Sequence, residues 1–185
     1  MSSSHQEHSH GHHPAHDQSS HVQHKQGSRQ SLGCMVVTCS DTRTTATDTS
    51  GALIQQLLRD QGHQVLAYHI VKDDPSDVRR MLTQTAQNDS LQTIIINGGT
   101  GISRRDSTFE AVDGLLEKRL DGFGELFRYL SYKDIGSPAM LSRATAGLYR
   151  GKVIFSIPGS REAVRLAMEE LILPELRHIV GEMQK

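Results

Sequence analysis

The sequence predicts a single α/β domain in which a mostly parallel β-sheet lies between two layers of helices. Strand-like apolar runs alternate along the chain with helix-like amphipathic segments, which is typical of α/β folds. The segment "LQTIIIN" (91–97) is continuously apolar, as in parallel strands that are buried on both faces. A length of 185 residues with 36% apolar side chains suits one domain with a tail.

The first half of the body predicts two β-α units. "CMVVTCS" (34–40) is a short β-rich run, and the helix over 50–62 places Leu53, Ile54, Leu57 and Leu58 on one face. "HQVLAYHIV" (63–71) predicts the second strand. "DPSDVRRMLTQTAQ" (74–87) predicts a helix with a proline in its first turn.

The second half begins with the strand over 91–97 and a glycine-rich loop. The segment 107–120 predicts a helix in which Ser107 and Glu110 have the spacing of a capping box. We expect an irregular helical stretch from Phe123 to about Leu148, then a strand in "KVIFSIPGS" (152–160). The last helix is expected from about Arg161, with a kink or restart at Pro174.

The N-terminal segment, residues 1–30, differs from the body in composition. It contains eight of the eleven histidines and almost no apolar side chains, so we expect a disordered tail, followed by a domain over 31–185. Two interpretations stay open. Imidazoles in "HSHGHHPAH" suit loose capture of metal ions, whereas the absence of carboxylate or cysteine partners favours a passive, solubilising tail.

Charge and hydropathy exclude several classes of function. The net charge of -1 indicates no nucleic acid or anionic membrane as a partner. No apolar run is long enough for a transmembrane helix and the N-terminus is polar, so we predict a cytoplasmic protein. Cys34 and Cys39 lie in one predicted strand, about 16 Å apart if extended, and are expected to be reduced and buried.

Polar loops follow all four predicted parallel strands. Ligands of open α/β sheets bind at the carboxyl ends of the strands, where these loops converge. The first loop, "SDTRTTATDTSG" (40–51), contains Ser40, Asp41 and Asp48. The others are "KDD" (72–74), "GGTGISRRD" (98–106) and "PGS" (158–160).

The glycine-rich loop after the third strand predicts an anion site. It has no lysine as in a P-loop, and its spacing and position differ from those of a dinucleotide fingerprint. Gly98, Gly99 and Gly101 allow backbone N–H groups to approach an anion. A simple tight turn would explain one of these glycines but not three.

Asp106 is unusual because it places a carboxylate beside this predicted anion site. A Mg²⁺ ion between Asp106 and a nucleotide phosphate would remove the repulsion. Asp73, from the neighbouring strand end, is a second candidate ligand, although a role as a loop or helix-capping residue explains it equally well. Arg104 and Arg105 either neutralise charge on a ligand or are merely exposed.

Six ordered motifs resemble the MoaB/MogA family of molybdenum cofactor biosynthesis, and the MoaB branch more than the MogA branch. They are "SDTRTTATDTSG", "VKDD", "GGTGISRRDSTFEA", "GFGELFRYLS", "SRATAG" and "IPGS", within residues 33–182. The resemblance implies a three-layer α/β/α fold, assembly into trimers or hexamers, and adenylylation of molybdopterin by Mg-ATP with release of pyrophosphate. Other proteins of the same pathway are further possible partners.

The resemblance also implies roles for individual residues. Asp106 and Asp73 match aspartates associated with the metal ion, the nucleotide and catalysis. The remaining positions are similar to segments that line the nucleotide and pterin pocket, namely Gly98, Gly99, Thr100, Gly101, Ser142, Arg143, Pro158, Gly159 and Ser160. Two functional hypotheses follow: a molybdopterin adenylyltransferase, or a non-catalytic molybdopterin-binding or scaffold protein of the same pathway.

Overall fold

The centre of the molecule is a six-stranded mixed sheet with the order β2-β1-β3-β6-β5-β4. This computed structural model describes residues 30–185, so nearly all of the predicted tail lies outside the described residues. β1, β2, β3 and β6 are parallel, whereas β5 and β4 are added antiparallel at one edge. The strands are β1 (Gly33–Cys39), β2 (Gln64–Val71), β3 (Thr93–Asn97), β4 (Lys118–Arg119), β5 (Thr145–Tyr149) and β6 (Lys152–Ile157).

Helices cover both faces of the sheet, as the sequence predicts. They are α1 (Thr49–Asp60), α2 (Pro75–Thr85), α3 (Thr108–Asp113), α4 (Asp121–Ile135), a 3₁₀ turn (Ser137–Leu141), α5 (Arg161–Leu166), a π-helical segment (Ala167–Ile172) and α6 (Leu173–Met183). The predicted three-layer α/β/α architecture with a mostly parallel sheet is therefore confirmed.

The core has two parts because successive side chains of a strand point to opposite faces. In β1, Cys34 and Val36 pack against α1 and the C-terminal helices, whereas Met35 and Val37 pack against α2 and α3. Both faces of the central strands are fully buried. Cys34 and Cys39 are not bonded to each other and are both buried, as predicted.

The antiparallel edge was not predicted from the sequence. β5 lies at the end of the segment that we expected to be irregular helix, and β4 lies within the predicted helix over 107–120, which ends at Asp113 instead. Arg150 and Gly151 both have positive φ, 47° and 73°, and form a two-residue hairpin turn between β5 and β6. Such turns suit the twist of paired strands, so "RG" was the available signal.

Two details of the helices differ from or refine the expectations. Ser107 makes no capping hydrogen bond through its side chain, so the predicted capping box is wrong. At the C-terminus, the π-helical segment ends at Ile172 and α6 begins next to Pro174. Proline has no N–H for the α-helical hydrogen bond, which explains the restart at this position.

The four parallel strands direct their carboxyl ends to one edge of the sheet. There, the N–H of Ser40 donates to the carbonyl of Val71, and the N–H of Gly98 donates to the carbonyl of Ile157. The loops after β1, β2, β3 and β6 meet at this edge, as expected for an α/β sheet. Within the described part of the chain, no helix is long and apolar enough to cross a membrane.

Candidate functional site

The glycines of the loop after β3 make room for carboxylates. Gly99 has a φ of 63°, and a Cβ at this position would lie 2.5 Å from Asp73 Oδ1. A Cβ on Gly101 would lie 2.6 Å from Asp106 Oδ2. The sequence argument attributed these glycines to the approach of a ligand. The structure shows a second reason for them, because Asp73 lies close to Gly99 and Asp106 lies close to Gly101.

Asp73 reaches the N-terminus of α3 from the loop after β2. Its Oδ1 accepts from the Ser107 N–H at 3.4 Å and from the Thr108 hydroxyl at 3.0 Å. Asp73 therefore caps the start of α3 through the N–H of Ser107, the bond that Glu110 would make in the predicted capping box. Among the described residues, no donor contacts its Oδ2.

Asp106 belongs to the loop itself and stabilises the turn that precedes α3. Its Oδ2 accepts from the N–H of Ser103 at 3.1 Å, and its own N–H donates to the Ser103 carbonyl. Within the described residues, Oδ1 of Asp106 has no protein donor. Asp73 and Asp106 thus each retain one carboxylate oxygen that is available to a cation.

Four successive backbone N–H groups have no acceptor within the described part of the protein. They belong to Gly99, Thr100, Gly101 and Ile102, and Thr100 is only 4% exposed. Nearly all buried backbone donors in proteins are paired, so the unpaired N–H of buried Thr100 is unusual, whereas Ile102 is 71% exposed. Consecutive N–H groups beside positive-φ residues form concave anion sites, which supports the predicted anion-binding role of this loop.

Arg143 contacts the same loop from the segment between the 3₁₀ turn and β5. Its Nε donates to the Thr100 carbonyl at 2.8 Å, and its NH2 group donates to the Gly101 carbonyl. The guanidinium also pairs with Glu110 and lies over the ring of Phe109, 4.8 Å from its centroid. Arg143 is therefore bonded to the protein rather than directed to open solvent.

Asp48 lies below the rim in a buried hydrogen-bond network. Its carboxylate accepts from Thr38 at 2.5 Å, Tyr68 at 2.6 Å, Arg43 at 3.1 Å and the Gly51 N–H at 3.0 Å. Burial opposes ionisation, but these donors outweigh it and lower the pKa of Asp48 below its ordinary value. Asp48 thereby caps α1 and holds the first loop in place.

The network extends from Asp48 to the loop after β6. Arg43 and Ser50 both donate to the Gly159 carbonyl, at 3.0 and 2.8 Å. A Cβ on Gly159 would lie 3.0 Å from the Cα of Gly98, so the two loops are in close contact. Sequence reasoning missed Arg43, Ser50 and Tyr68, because only the tertiary structure brings them together.

The other predicted site residues lie around this centre. Asp41 pairs with Arg105 across the rim at 3.2 Å, and Ser40 accepts from the N–H of Arg43 at 3.1 Å. Ser142, Pro158 and Ser160 line a cavity of about 110 Å³, and the Ser160 hydroxyl caps α5. The structure therefore brings the predicted residues to one edge of the sheet, although Asp48 lies beneath it.

A larger cavity of about 510 Å³ adjoins the small one between α4 and α5. The two cavities share Asp134, Glu162 and Leu166, and together they offer enough volume for a ligand of ordinary size. Among the described lining residues of the larger cavity, none belongs to the glycine loop. The free N–H groups and the carboxylates therefore identify the anion site better than cavity size does.

The fold defines an α/β domain with a mixed six-stranded sheet, and its glycine loop places a candidate anion site at the carboxyl edge of that sheet. A family model described as "Probable molybdopterin binding domain" matches residues 35–178. The chain therefore belongs to the MoaB/MogA family of molybdenum cofactor biosynthesis proteins.

Relatives and solved structures agree with this assignment. The Molybdenum cofactor biosynthesis protein B of Bacillus cereus is 50% identical over 165 residues, which cover 89% of this chain and 98% of the relative. The corresponding protein of Bacillus subtilis is 48% identical over 164 residues, with coverages of 88% and 96%.

Two crystal structures show how close the folds are. A structure of Molybdenum cofactor biosynthesis protein B has a TM-score of 0.82 at 51% identity and covers 85% of this chain and 98% of its own. The tungsten cofactor synthesizing protein MoaB from Pyrococcus furiosus has a TM-score of 0.76 at 37% identity, with coverages of 85% and 100%. The chain takes part in molybdenum cofactor biosynthesis, the role that the names of both Bacillus relatives state.

Proposed function

We propose that this protein adenylylates molybdopterin with Mg-ATP and releases pyrophosphate. The observation that carries the proposal is the run of free N–H groups at Gly99–Ile102, flanked by Asp73 and Asp106. Backbone donors bind phosphate oxygens, and carboxylates hold a cation that phosphates also bind. An anion and a cation site side by side are the arrangement that phosphoryl and nucleotidyl transfer need.

The reaction forms a bond between a phosphate oxygen of molybdopterin and the α-phosphorus of ATP. The bond from that phosphorus to the bridging oxygen breaks, and its electron pair leaves with pyrophosphate. The nucleophile is already an anion, so no serine or cysteine has to be activated. The protein's contribution is to align the two anions and to offset their charge, which the N–H groups of the loop are placed to do.

The two carboxylates fit a magnesium ion in donor type and number. Each has one oxygen without a protein donor, and oxygen atoms are the ligands that Mg²⁺ prefers. Within the described residues, no group of three or more His, Cys, Asp or Glu side chains is arranged to hold a metal. A site of two carboxylates completed by substrate phosphates and water suits Mg²⁺, which would supply charge neutralisation on the transferred and leaving phosphates.

The decisive experiment measures pyrophosphate release by the full chain with molybdopterin, ATP and Mg²⁺. Asp106→Asn keeps the shape and the Ser103 hydrogen bond but removes the charge, so we expect turnover to fall about hundredfold or more. Molybdopterin binding and thermal unfolding should change little. An unchanged turnover number would remove Asp106 from the reaction.

A second candidate function is a non-catalytic molybdopterin-binding or scaffold protein of the same pathway. The observation in its favour is the contact between Asp73 and α3, because helix capping explains this aspartate without catalysis. In the same assay, tight molybdopterin binding without pyrophosphate release by the native chain would favour this function. Both candidates place the protein in the cytoplasm, which stays a prediction.

We also propose that the protein acts as a homo-oligomer, a trimer or hexamer. One face of α4 exposes Leu126, Tyr129 and Tyr132 at helical spacing, each more than half accessible. Large apolar side chains grouped on one helix face are typical of interaction surfaces. The family resemblance implies the same kind of assembly.

A further inference from the structure

Arg143 uses most of its hydrogen-bonding capacity within the protein. A guanidinium group has five N–H donors, and four of those of Arg143 bond to the Thr100 and Gly101 carbonyls and to both oxygens of Glu110. The Phe109 ring covers one face of the group. Little capacity remains for a substrate phosphate, although arginine beside an anion site would ordinarily suggest such a contact.

The two carbonyls that Arg143 binds control the direction of two N–H groups of the anion site. In a trans peptide, the carbonyl of one residue and the N–H of the next point in opposite directions. A carbonyl of Thr100 turned to Arg143 therefore turns the Gly101 N–H away from it. The Gly101 carbonyl does the same for the N–H of Ile102.

These two N–H groups are among the four without an acceptor in the described residues. We propose that Arg143 is a positioning residue, which orients the N–H groups of Gly101 and Ile102 towards the anion without contacting the ligand itself. Glu110 holds the guanidinium in the required plane by a two-pronged ion pair. This inference rests on the proposed function for the identity of the anion, but not for the conformation of the loop.

Lysine is the informative replacement because it keeps the charge and loses the planar set of donors. An ammonium group cannot bind both carbonyls and both oxygens of Glu110 in this geometry. If Arg143 acted through charge on a ligand, Arg143→Lys would retain most of the affinity. As a positioning residue, it should lose affinity about tenfold, the equivalent of one charge-assisted hydrogen bond.

The experiment combines glycine-selective NMR with binding of inorganic pyrophosphate. The chain has 16 glycines, so a ¹⁵N-glycine spectrum is simple enough to assign. In Arg143→Lys we expect the signals of Gly98, Gly99 and Gly101 to shift or broaden. Those of Gly62 and Gly151, which precede β2 and β6 at the opposite edge of the sheet, should stay and show that the fold is intact. Arg80→Lys, a change at an exposed arginine of α2 outside the site, is the matched control.

Each combination of results decides the matter. Shifted loop signals with weaker pyrophosphate binding in Arg143→Lys, and neither change in Arg80→Lys, support the proposal. Unchanged loop signals overturn it, and so does native affinity in spite of shifted signals. Should the native chain fail to bind pyrophosphate, the proposed function fails, while the glycine signals still decide whether Arg143 positions the loop.

Discussion

At the scale of single residues, the charged groups at the carboxyl edge divide into those that hold loops in place and those that keep an oxygen free for a ligand. Asp48 and Arg143 are engaged by protein donors or acceptors on nearly all sides and hold loops in place. Asp73 and Asp106 each keep an oxygen free, even though both also stabilise backbone. This difference in free capacity separates the residues that shape the site from those that are able to bind a ligand.

His63 links stability to pH at the opposite edge of the sheet. Its Nδ1 accepts from the N–H of Leu32, and its Nε2 is buried without a partner. Burial, with a smaller effect of Arg177, lowers the pKa of His63 to about 4. The folded state therefore disfavours the protonated ring, and protonation stabilises the unfolded chain instead.

We therefore expect stability to fall as the pH drops below about 6.5, the pKa of His63 in the unfolded chain. The loss should level off below about pH 4, the pKa of His63 in the folded protein. Between pH 7.5 and 5, His63 should account for a loss of about 2 kcal/mol in the free energy of unfolding. Urea unfolding of the native chain and of His63→Asn at several pH values measures this. Equal pH dependence in both proteins would contradict the expectation.

At the scale of elements, the glycine loop and α3 form one unit with the loop after β2. The Thr108 N–H donates to the Gly99 carbonyl at 3.0 Å, and Asp73 caps the same helix. α3 has only six residues, too few to be stable alone. The helix therefore depends on these contacts, and the position of Asp73 depends on a glycine at 99.

Gly99→Ala tests this dependence. The backbone at position 99 is left-handed, a conformation that costs alanine about 1–2 kcal/mol relative to glycine. The new methyl group would also collide with Asp73 and Thr108. Gly151→Ala is the matched control, because its φ of 73° is similar and no atom lies within 4 Å of a Cβ there. We expect the loop variant to be the less stable of the two in thermal unfolding and to lose pyrophosphate binding. Equal stabilities would show that the collision relaxes without cost.

At the scale of the whole molecule, the exposed face of α4 predicts association between copies. A charge at the centre of an apolar interface is strongly unfavourable because it loses its hydration. We expect Tyr129→Glu to shift the protein towards the monomer in light-scattering measurements. The control variant Gln84→Glu, at an exposed position of α2, should leave the mass unchanged. A native chain that is already monomeric, or no change in mass in the Tyr129 variant, would refute the proposed assembly surface.

Much of this architecture is readable from the sequence. Continuous apolar strands, helix periodicity and the glycine-rich loop identify the four parallel strands, most helices and the edge of the sheet where the site lies. These signals are local, because they depend on side-chain period and on turn residues. β5 escaped prediction because Ala146 and Gly147 at the centre of "TAGLY" disfavour a strand, which its partner β6 nevertheless holds, and β4 because it has only two residues.

The sequence by itself determined which loops meet at the candidate site, since strand ends and loop composition decide that. Only the tertiary structure decided what each of them does there. Asp73 caps a helix 34 residues away, Arg43 reaches Gly159, and Arg143 holds the carbonyls of the glycine loop. Hydrogen bonds between residues so distant in the chain depend on the packing of several elements at once, which no local pattern encodes.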